Sequence, residues 1–220
     1  MARISRVIIP EFPHHIIQRG NRSQRVFFNE RDYNEYLKLL NNYSHRFKVD
    51  ILAYCLMPNH VHLIATPHKN GSLAQAIGET HRNYTRFINF RENWRGYLWQ
   101  GRFSSYVLDE RYLLAATRYI LLNPVKANLV KNPWDYKWSS TKHHMMIDTS
   151  LLVRDSLLKE LIGDWKDFLS ITTNSNDINL LQLHERTGRP LGNSRFIEKL
   201  ESMFKIKLKK KKAGRPKKNK

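Results

Sequence analysis

Residues 49–66 read VDILAYCLMPNHVHLIAT. Val49 to Leu56 and Val61 to Thr66 are near-continuous apolar runs of strand length, and Met57-Pro58-Asn59 joins them. Short apolar runs on either side of a proline-containing turn predict a β-hairpin. We place this hairpin at the centre of a sheet.

Two histidines lie on the second strand of this hairpin. Side chains two residues apart in a strand share a face, so His60 and His62 point the same way while Val61 points the other way. Paired imidazoles on an apolar strand are costly to desolvate unless something uses them, and a divalent cation is one such user. The alternative is a pair of satisfied surface or core histidines, and the pair alone does not decide between these two interpretations.

The segments around the hairpin alternate between strand and helix patterns. Their order, β-α-β-β-α-β-α, predicts an α+β domain with a ferredoxin-like, split βαβ antiparallel sheet and helices mostly on one face. The flanking segments are a strand over Phe12–Gln18, a helix over Glu30–Arg46 capped by Asn29, a helix to about Phe90 capped by Ser72, a strand over Phe103–Leu108 and a helix over Asp109–Leu122.

The last of these helices carries a tyrosine and leads to an asparagine. Tyr119 and Asn123 are four residues apart, which places them on one helix face. The Asn123 carbonyl oxygen would suit a metal beside two imidazoles, and the Tyr119 hydroxyl would suit attack on a phosphate. Pro124 predicts that Asn123 is the last helical residue or the cap. The alternative is a packed tyrosine beside a C-capping asparagine.

At this point several motifs, in the same order along the chain, match a known family. The chain resembles the single-tyrosine HUH transposases of the IS200/IS605 type, and most closely the REP-associated tyrosine transposases. The matching segments are Gln18-Arg19-Gly20-Asn21-Arg22, Met57-Pro58-Asn59-His60-Val61-His62, Leu98-Trp99-Gln100-Gly101-Arg102-Phe103, Arg118-Tyr119-Ile120-Leu121-Leu122-Asn123-Pro124-Val125-Lys126-Ala127, Tyr136-Lys137-Trp138-Ser139-Ser140 and Thr187-Gly188-Arg189-Pro190-Leu191-Gly192.

The resemblance implies an HUH endonuclease fold and the roles of four residues. His60, His62 and Asn123 would bind the metal, and Tyr119 would be the nucleophile. Tyr119 would attack a phosphodiester of single-stranded DNA and leave a 5′-phosphotyrosine and a free 3′-OH. Two nitrogen ligands and one oxygen ligand suit Mg²⁺ or Mn²⁺, although the spacing alone leaves zinc open. The substrate that the resemblance implies is a hairpin-forming, REP-like element.

Composition supports a nucleic-acid partner independently. Lys and Arg number 38 against 19 Asp and Glu, a formal net charge of +19, and such an excess favours binding to a polyanion. No 18-residue apolar run and no signal-like N-terminus occur, and the single cysteine, Cys55, fits a reducing compartment. We therefore expect a cytoplasmic, nucleoid-associated protein without a membrane partner, either a monomer or a homodimer.

We divide the chain into a catalytic domain over residues 1–148, a helical extension over 149–204 and a flexible polybasic tail over 205–220. Two short helices around residues 188–192 resemble a helix-turn-helix DNA reader, although such pairs are common in other proteins. In the tail, the segment around Arg215 is similar to a minor-groove AT-hook. The alternative is a polybasic tail that adds affinity only by counterion release.

Substrate contacts are predicted from arginines and aromatic residues. The predicted DNA-binding residues are Arg19, Asn21, Arg22, Arg25, Arg102, Arg189 and Arg215. Trp94, Trp99, Phe103 and Tyr106 would either stack on unpaired bases or belong to the core. Two other functions remain open: a non-enzymatic nucleic-acid-binding protein, and a metal-dependent nuclease that uses activated water.

Overall fold

The fold is built around a four-stranded antiparallel sheet, seen in a computed structural model that describes residues 7–208. The strand order is β2-β3-β1-β4, which is ferredoxin-like, so the predicted fold class is confirmed. The strands are β1 His14–Arg19, β2 Val49–Met57, β3 His60–Pro67 and β4 Ser104–Val107.

Helices follow the strands in the predicted alternation. The α-helices assigned within residues 7–208 are α1 Glu30–Arg46, α2 Ser72–Glu92, α3 Glu110–Leu121, α4 Asn123–Lys126, α5 Thr141–His144, α6 Ser156–Leu161, α7 Trp165–Ser170, α8 Ser175–Thr187 and α9 Ser194–Phe204. Helices α1 and α2 pack on each other and on β2, while α3 packs on β2 and β3. No helix in the described part of the chain is long and apolar enough to cross a membrane.

The predicted hairpin forms, but not at the sheet centre. β2 and β3 pair in antiparallel register around Pro58 and Asn59, and β2 lies at the edge of the sheet. Residues from the later part of the chain cover that edge, because Ser139 and Val153 form isolated bridges to β2. Covering an exposed strand edge removes a template for pairing with other chains.

Helix α1 begins where the sequence predicts, at a complete capping box. The Asn29 side chain accepts from the Asp32 backbone N–H, and the Asp32 carboxylate accepts from the backbone N–H of Asn29 and, at 2.8 Å, of Phe28. The same buried carboxylate pairs with Arg91 near the end of α2. One side chain therefore caps α1 and ties it to α2.

Helices α2 and α4 begin differently from the prediction. The N-cap of α2 is Gly71, in the left-handed region at φ 80°, and Ser72 is the first helical residue. Asn123 does not end α3; it begins the separate turn α4 after the single intervening residue Leu122. Pro124 is tolerated there because the first turn of a helix needs no amide donor. Leu122 keeps a right-handed helical conformation, so Asn123 still lies about one turn beyond Tyr119.

The segment after residue 148 packs on the same core as the sheet. Leu152, Val153 and Leu181 are buried in that core, and Leu191 bridges to Leu108 just after β4. Helices α8 and α9 lie on either side of the predicted turn at residues 188–192. The predicted boundary between a catalytic domain and a helical extension at residue 148 stays a prediction about function. Residues 209–220 of the predicted tail, which include Arg215, lie outside the described residues.

We predict that Asp32→Ala lowers the free energy of unfolding by about 3–5 kcal/mol, because the substitution leaves the Arg91 charge without its buried partner and removes the cap. Glu30→Ala is the matched control, since Glu30 lies in the same helical turn but forms an exposed pair with Lys137. Glu30→Ala should lower the free energy of unfolding by about 1 kcal/mol or less. Urea denaturation followed by circular dichroism measures both, and equal losses would contradict the role assigned to Asp32.

Candidate functional site

The candidate site lies on one face of the sheet and is assembled from three strands. Directly paired residues of antiparallel strands point to the same side. Arg19 pairs with His60, and His15 pairs with Tyr106. His15 and Arg19 are four residues apart on β1, and His60 and His62 are two apart on β3, so each pair points to one side of its strand. The side chains of these four residues and of Tyr106 therefore share this face.

His60 and His62 lie next to each other, as the strand alternation predicts. Their ring centroids are 4.9 Å apart. His60 Nδ1 lies 2.6 Å from Asn59 Oδ1, and His62 Nδ1 lies 3.1 Å from His15 Nε2. Within residues 7–208 neither Nε2 atom has a hydrogen-bond partner, so both Nε2 atoms are free to bind a ligand on this face.

Burial keeps these imidazoles neutral. Desolvation, with a smaller contribution from the positive charge of Arg19, lowers the pKa of His60 to about 4. Desolvation and then His60, His15 and Arg19 hold the pKa of His62 well below its ordinary value. Desolvation also lowers the pKa of His15 to about 3. A neutral imidazole is the form that binds a metal, so the pair is in its ligating state at neutral pH.

Tyr119, on α3, comes to this face from a distant part of the sequence. Its ring centroid is 5.8 Å from that of His62, with the two planes nearly perpendicular, and 6.4 Å from that of His15. The Lys126 Nζ lies 5.2 Å from the centre of the Tyr119 ring. The structure therefore brings the predicted nucleophile beside the predicted metal-binding pair within one protomer.

The surroundings of Tyr119 favour the protonated phenol. Burial raises its pKa above the ordinary value, and the charge of Glu185 adds to this shift. A hydrogen bond with Gln182 and the charge of Arg19 act in the opposite direction. Tyr119, Arg19, Gln182, Glu185 and Arg186 line a cavity of about 360 Å³. This cavity has room for a phosphate group beside the phenol.

Asn123 lies one turn beyond Tyr119 and is half-buried. Its backbone carbonyl accepts from the Ala127 amide at 2.9 Å. No hydrogen bond involves its side chain among the described residues, so the carboxamide is uncommitted. Groups of three or more His, Cys, Asp or Glu side chains able to hold a metal are absent from residues 7–208. A site on this face would therefore combine the histidine pair with other donors, and the carboxamide oxygen suits such a role chemically.

The predicted DNA-binding residues within residues 7–208 fall into four places. Arg19 lies beside Tyr119, whereas Asn21, Arg22 and Arg25 belong to the loop after β1. This loop is held against the β2–β3 turn, since Gly20 N donates to Asn59 O at 2.8 Å and Asn59 Nδ2 donates to Ser23 O at 3.2 Å. It therefore borders the His60 end of β3.

Arg102 and Arg189 lie elsewhere. Arg102 is exposed just before β4. Arg189 lies between α8 and α9, where its guanidinium donates to the Leu208 carbonyl oxygen at 2.7 Å. Among these residues, Arg22, Arg25 and Arg102 are exposed and form no ion pair within the described chain. These three arginines are available to contact phosphate.

The aromatic residues divide into core and surface. Trp99, Phe103 and Tyr106 are buried, so of the two predicted alternatives, stacking on bases or packing in the core, these three residues follow the second. Trp94 is 45% exposed and Tyr97 is 87% exposed. With Asn21, Gln24, Asn89, Arg95 and Leu98, these two line a surface cavity of about 280 Å³. We call this cavity the Trp94–Tyr97 surface.

Sequence reasoning missed four residues of the site. His15 and Tyr106 belong to it through strand pairing, and Gln182 and Glu185 belong to it through the docking of α8. Period-two alternation on β1 and β4 would have placed His15 and Tyr106 on the histidine face once the strand register was known. The α8 residues carry no local signal of this kind.

The family of the chain follows from a comparison with known proteins. The model of the IS200-like transposases matches residues 10–123, slightly more than half of the chain. The chain belongs to the IS200-like transposase family. The matched residues include every strand assigned within residues 7–208, the histidine pair and Tyr119, whereas Gln182 and Glu185 on α8 lie beyond the matched region.

Two relatives of this transposase chain are informative. A Haemophilus influenzae protein named as a REP-associated tyrosine transposase is 28% identical over 121 residues, covering 50% of this chain and 69% of that protein. A solved structure described as the REP-associated tyrosine transposase bound to a REP hairpin is 18% identical, with a TM-score of 0.57, and covers 70% of this chain and 98% of that one. The structural likeness confirms the fold.

Proposed function

We propose that this transposase is a metal-dependent enzyme that nicks and joins single-stranded DNA, with Tyr119 as the nucleophile. The observation that carries the proposal is the contact between the Tyr119 and His62 rings, 5.8 Å apart, on the face where both His60 and His62 leave Nε2 free. A phenol beside two neutral imidazoles is not needed for packing alone, since desolvating these polar groups is costly. Membership of a transposase family supports the same chemistry.

His60 and His62 would hold the ion through Nε2, and Asn123 would supply a carbonyl oxygen. Mixed nitrogen and oxygen donors fit Mn²⁺ or Mg²⁺. When bound, the ion would polarise a non-bridging oxygen of the scissile phosphate and orient it for in-line attack. Arg19 lies in the same cavity as Tyr119, where its charge would attract the phosphodiester.

The proposed transfer of the DNA strand needs no nucleotide cofactor. The Tyr119 oxygen bonds to phosphorus, and the bond from phosphorus to the 3′ oxygen breaks. The phenolic proton passes to solvent and the departing 3′ oxygen takes up a proton, which leaves a 5′-phosphotyrosine and a free 3′-OH. A DNA 3′-OH can then attack the phosphotyrosine and restore a phosphodiester, because the covalent bond conserves its energy.

We predict that Tyr119→Phe abolishes a covalent protein–DNA adduct while DNA binding persists, because the substitution removes only the attacking oxygen. The measurement is a denaturing gel with a labelled hairpin that carries single-stranded flanks, with Mn²⁺ or Mg²⁺. Tyr112→Phe is the matched control, seven residues earlier on the same helix, and should form the adduct normally.

The same gel, with a native gel of the same mixtures to report DNA binding, distinguishes the two other functions. Cleavage that persists in Tyr119→Phe and yields a free 5′-phosphate would identify a nuclease that uses water. Retained binding without cleavage by the wild-type protein would identify a non-enzymatic DNA-binding protein. Either result would contradict the proposed role of Tyr119.

We predict that the rate of adduct formation rises with pH between pH 6 and 9. The pKa of Tyr119 is raised, so the reactive phenolate is a minor form throughout this range, and its population grows by about tenfold per pH unit. The His60 imidazole, with a pKa of about 4, does not titrate in this range.

Glu185→Gln tests the origin of this pH dependence. The substitution removes a nearby negative charge that raises the Tyr119 pKa, so the rate profile should shift to lower pH. Single-turnover rates measured at fixed ionic strength report both profiles. A rate that does not change with pH for the wild-type protein would show that loss of the phenolic proton does not limit the reaction.

We propose that the Trp94–Tyr97 surface binds unpaired bases next to the scissile bond. It adjoins the loop after β1, since Asn21 N donates to Leu98 O at 2.8 Å, and that loop borders His60. Exposed aromatic rings beside exposed arginines suit single-stranded nucleic acid, in which bases stack on rings and phosphates face cations. The REP hairpin bound to the structural relative makes hairpin DNA the substrate to test.

We predict that Tyr97→Ala weakens binding of a hairpin with single-stranded flanks by about 5- to 100-fold, the equivalent of losing one base–aromatic stack. Tyr97→Phe keeps the ring and should bind normally. Leu151→Ala, an exposed apolar residue near the β2 edge, is the remote control. Fluorescence anisotropy measures each affinity, and an equal loss for a blunt hairpin without flanks would contradict the proposed contact with unpaired bases.

A further inference from the structure

We propose that Tyr106 and His15 are positioning residues that fix the protonation of the His62 ring, so that His62 presents a bare Nε2 to the metal. The inference rests on the proposed metal site. It concerns two buried residues that have no part in the transfer step, and it assigns them a defined role in preparing that site.

A continuous chain of short polar contacts links a backbone carbonyl to the His62 ring. The Tyr106 hydroxyl donates to the Leu181 carbonyl oxygen at 3.0 Å, and His15 Nδ1 lies 2.7 Å from the same hydroxyl oxygen. His15 Nε2 lies 3.1 Å from His62 Nδ1. The rings are buried: Tyr106 is 0%, His15 1% and His62 2% exposed, so water does not compete for these contacts.

Counting protons gives this chain a direction. Three contacts require three protons, and the Leu181 carbonyl can only accept, so the hydroxyl proton of Tyr106 points to it. The hydroxyl oxygen then accepts from His15, which places the His15 proton on Nδ1. His15 Nε2 is left as an acceptor, so the proton of His62 also lies on Nδ1. The remaining nitrogen of His62, Nε2, carries a lone pair.

The opposite direction leaves one contact without a proton. If Tyr106 donated to His15, then His15 would donate through Nε2 to His62, and the Leu181 carbonyl, which also accepts within α8, would lose the additional donor that Tyr106 provides. His62 would then carry its proton on Nε2, where it would block metal binding. The carbonyl at the end of the chain therefore selects the tautomer of His62 that can bind a metal.

His60 reaches the same state through a separate contact. Asn59 Nδ2 donates to Ser23 O at 3.2 Å, which turns Asn59 Oδ1 towards His60 Nδ1 at 2.6 Å. The oxygen accepts, so His60 also holds its proton on Nδ1. Both rings are thus prepared by hydrogen bonds outside the metal site, an arrangement that tunes metal affinity in many proteins.

The first test measures the tautomers directly in the metal-free wild-type protein. Long-range proton–nitrogen correlation spectra of a ¹⁵N-labelled sample distinguish protonated from bare ring nitrogens. We expect His15, His60 and His62 all to be protonated at Nδ1. A proton on Nε2 of His15 or His62 would overturn the inference, whatever the activity of the enzyme.

The second test measures Mn²⁺ affinity by electron paramagnetic resonance without DNA. Tyr106→Phe removes the hydroxyl that accepts from His15 and should raise the Mn²⁺ Kd by about 10- to 100-fold, the range for loss of an outer partner. Tyr36→Phe is the matched control, because Tyr36 also bonds a buried histidine, His81, at 3.0 Å, but its helix is not part of the site. Its Kd should equal that of the wild type.

The outcomes separate the two proposals. If wild-type protein binds Mn²⁺ and Tyr106→Phe binds it equally well, the positioning role is wrong and the proposed function stands. If Mn²⁺ does not bind the wild-type protein, or binds without involving His62, the metal site fails and this inference fails with it. Circular dichroism of each variant confirms that the compared proteins are folded.

Discussion

The site is organised by two imidazoles on alternate residues of a buried strand. Burial makes the charged form of each ring costly, so His60 and His62 stay neutral, with Nδ1 of each occupied and Nε2 of each free. A buried polar group without a partner is destabilising. The surrounding structure offsets this cost with specific acceptors, Asn59 for one ring and His15 for the other. The other residues of this face are arranged around these two rings.

The C-terminal segment is part of this arrangement. Helix α8 provides the carbonyl that ends the Tyr106–His15 chain, and Gln182 and Glu185 on the same helix act on Tyr119. Other residues of the segment cover the β2 edge of the sheet. In the proposed direction of the hydrogen bonds, a change in the docking of α8 would alter the tautomer of His62, and it would also alter the pKa of Tyr119. Residues on both sides of the predicted domain boundary at residue 148 therefore contribute to the same site.

Sequence patterns predicted most of the helices and strands, because these elements depend on residues that are close in the sequence. The bounds of α1 follow from the Asn29 capping box and an apolar stripe, and the hairpin follows from two apolar runs around a turn. The order of strands has no such local signal, and so β2 was misplaced at the sheet centre. The start of α4 at Asn123 was also missed, because the rule for residues before proline predicts where one helix ends but not where another begins.

The histidine pair and Tyr119 could be predicted from spacing and from family resemblance, but their partners could not. His15 reaches His62 across a strand pairing, and Tyr106 reaches His15 across another. Such contacts depend on register, which a single sequence does not specify. Glu185 and Gln182 depend on tertiary docking of a helix. The parts of the site that tune the chemistry are therefore the parts that only the structure reveals.

The proposed site holds one cation between His60 and His62 on β3 and Asn123 at the start of α4, beside the Tyr119 phenol. The most direct measurement is a crystal structure of the protein soaked in Mn²⁺, with the ion located by its anomalous scattering. We expect one strong peak bonded to Nε2 of His60 and of His62, on the side facing Tyr119. A peak elsewhere, or none on this face at a saturating Mn²⁺ concentration, would contradict it.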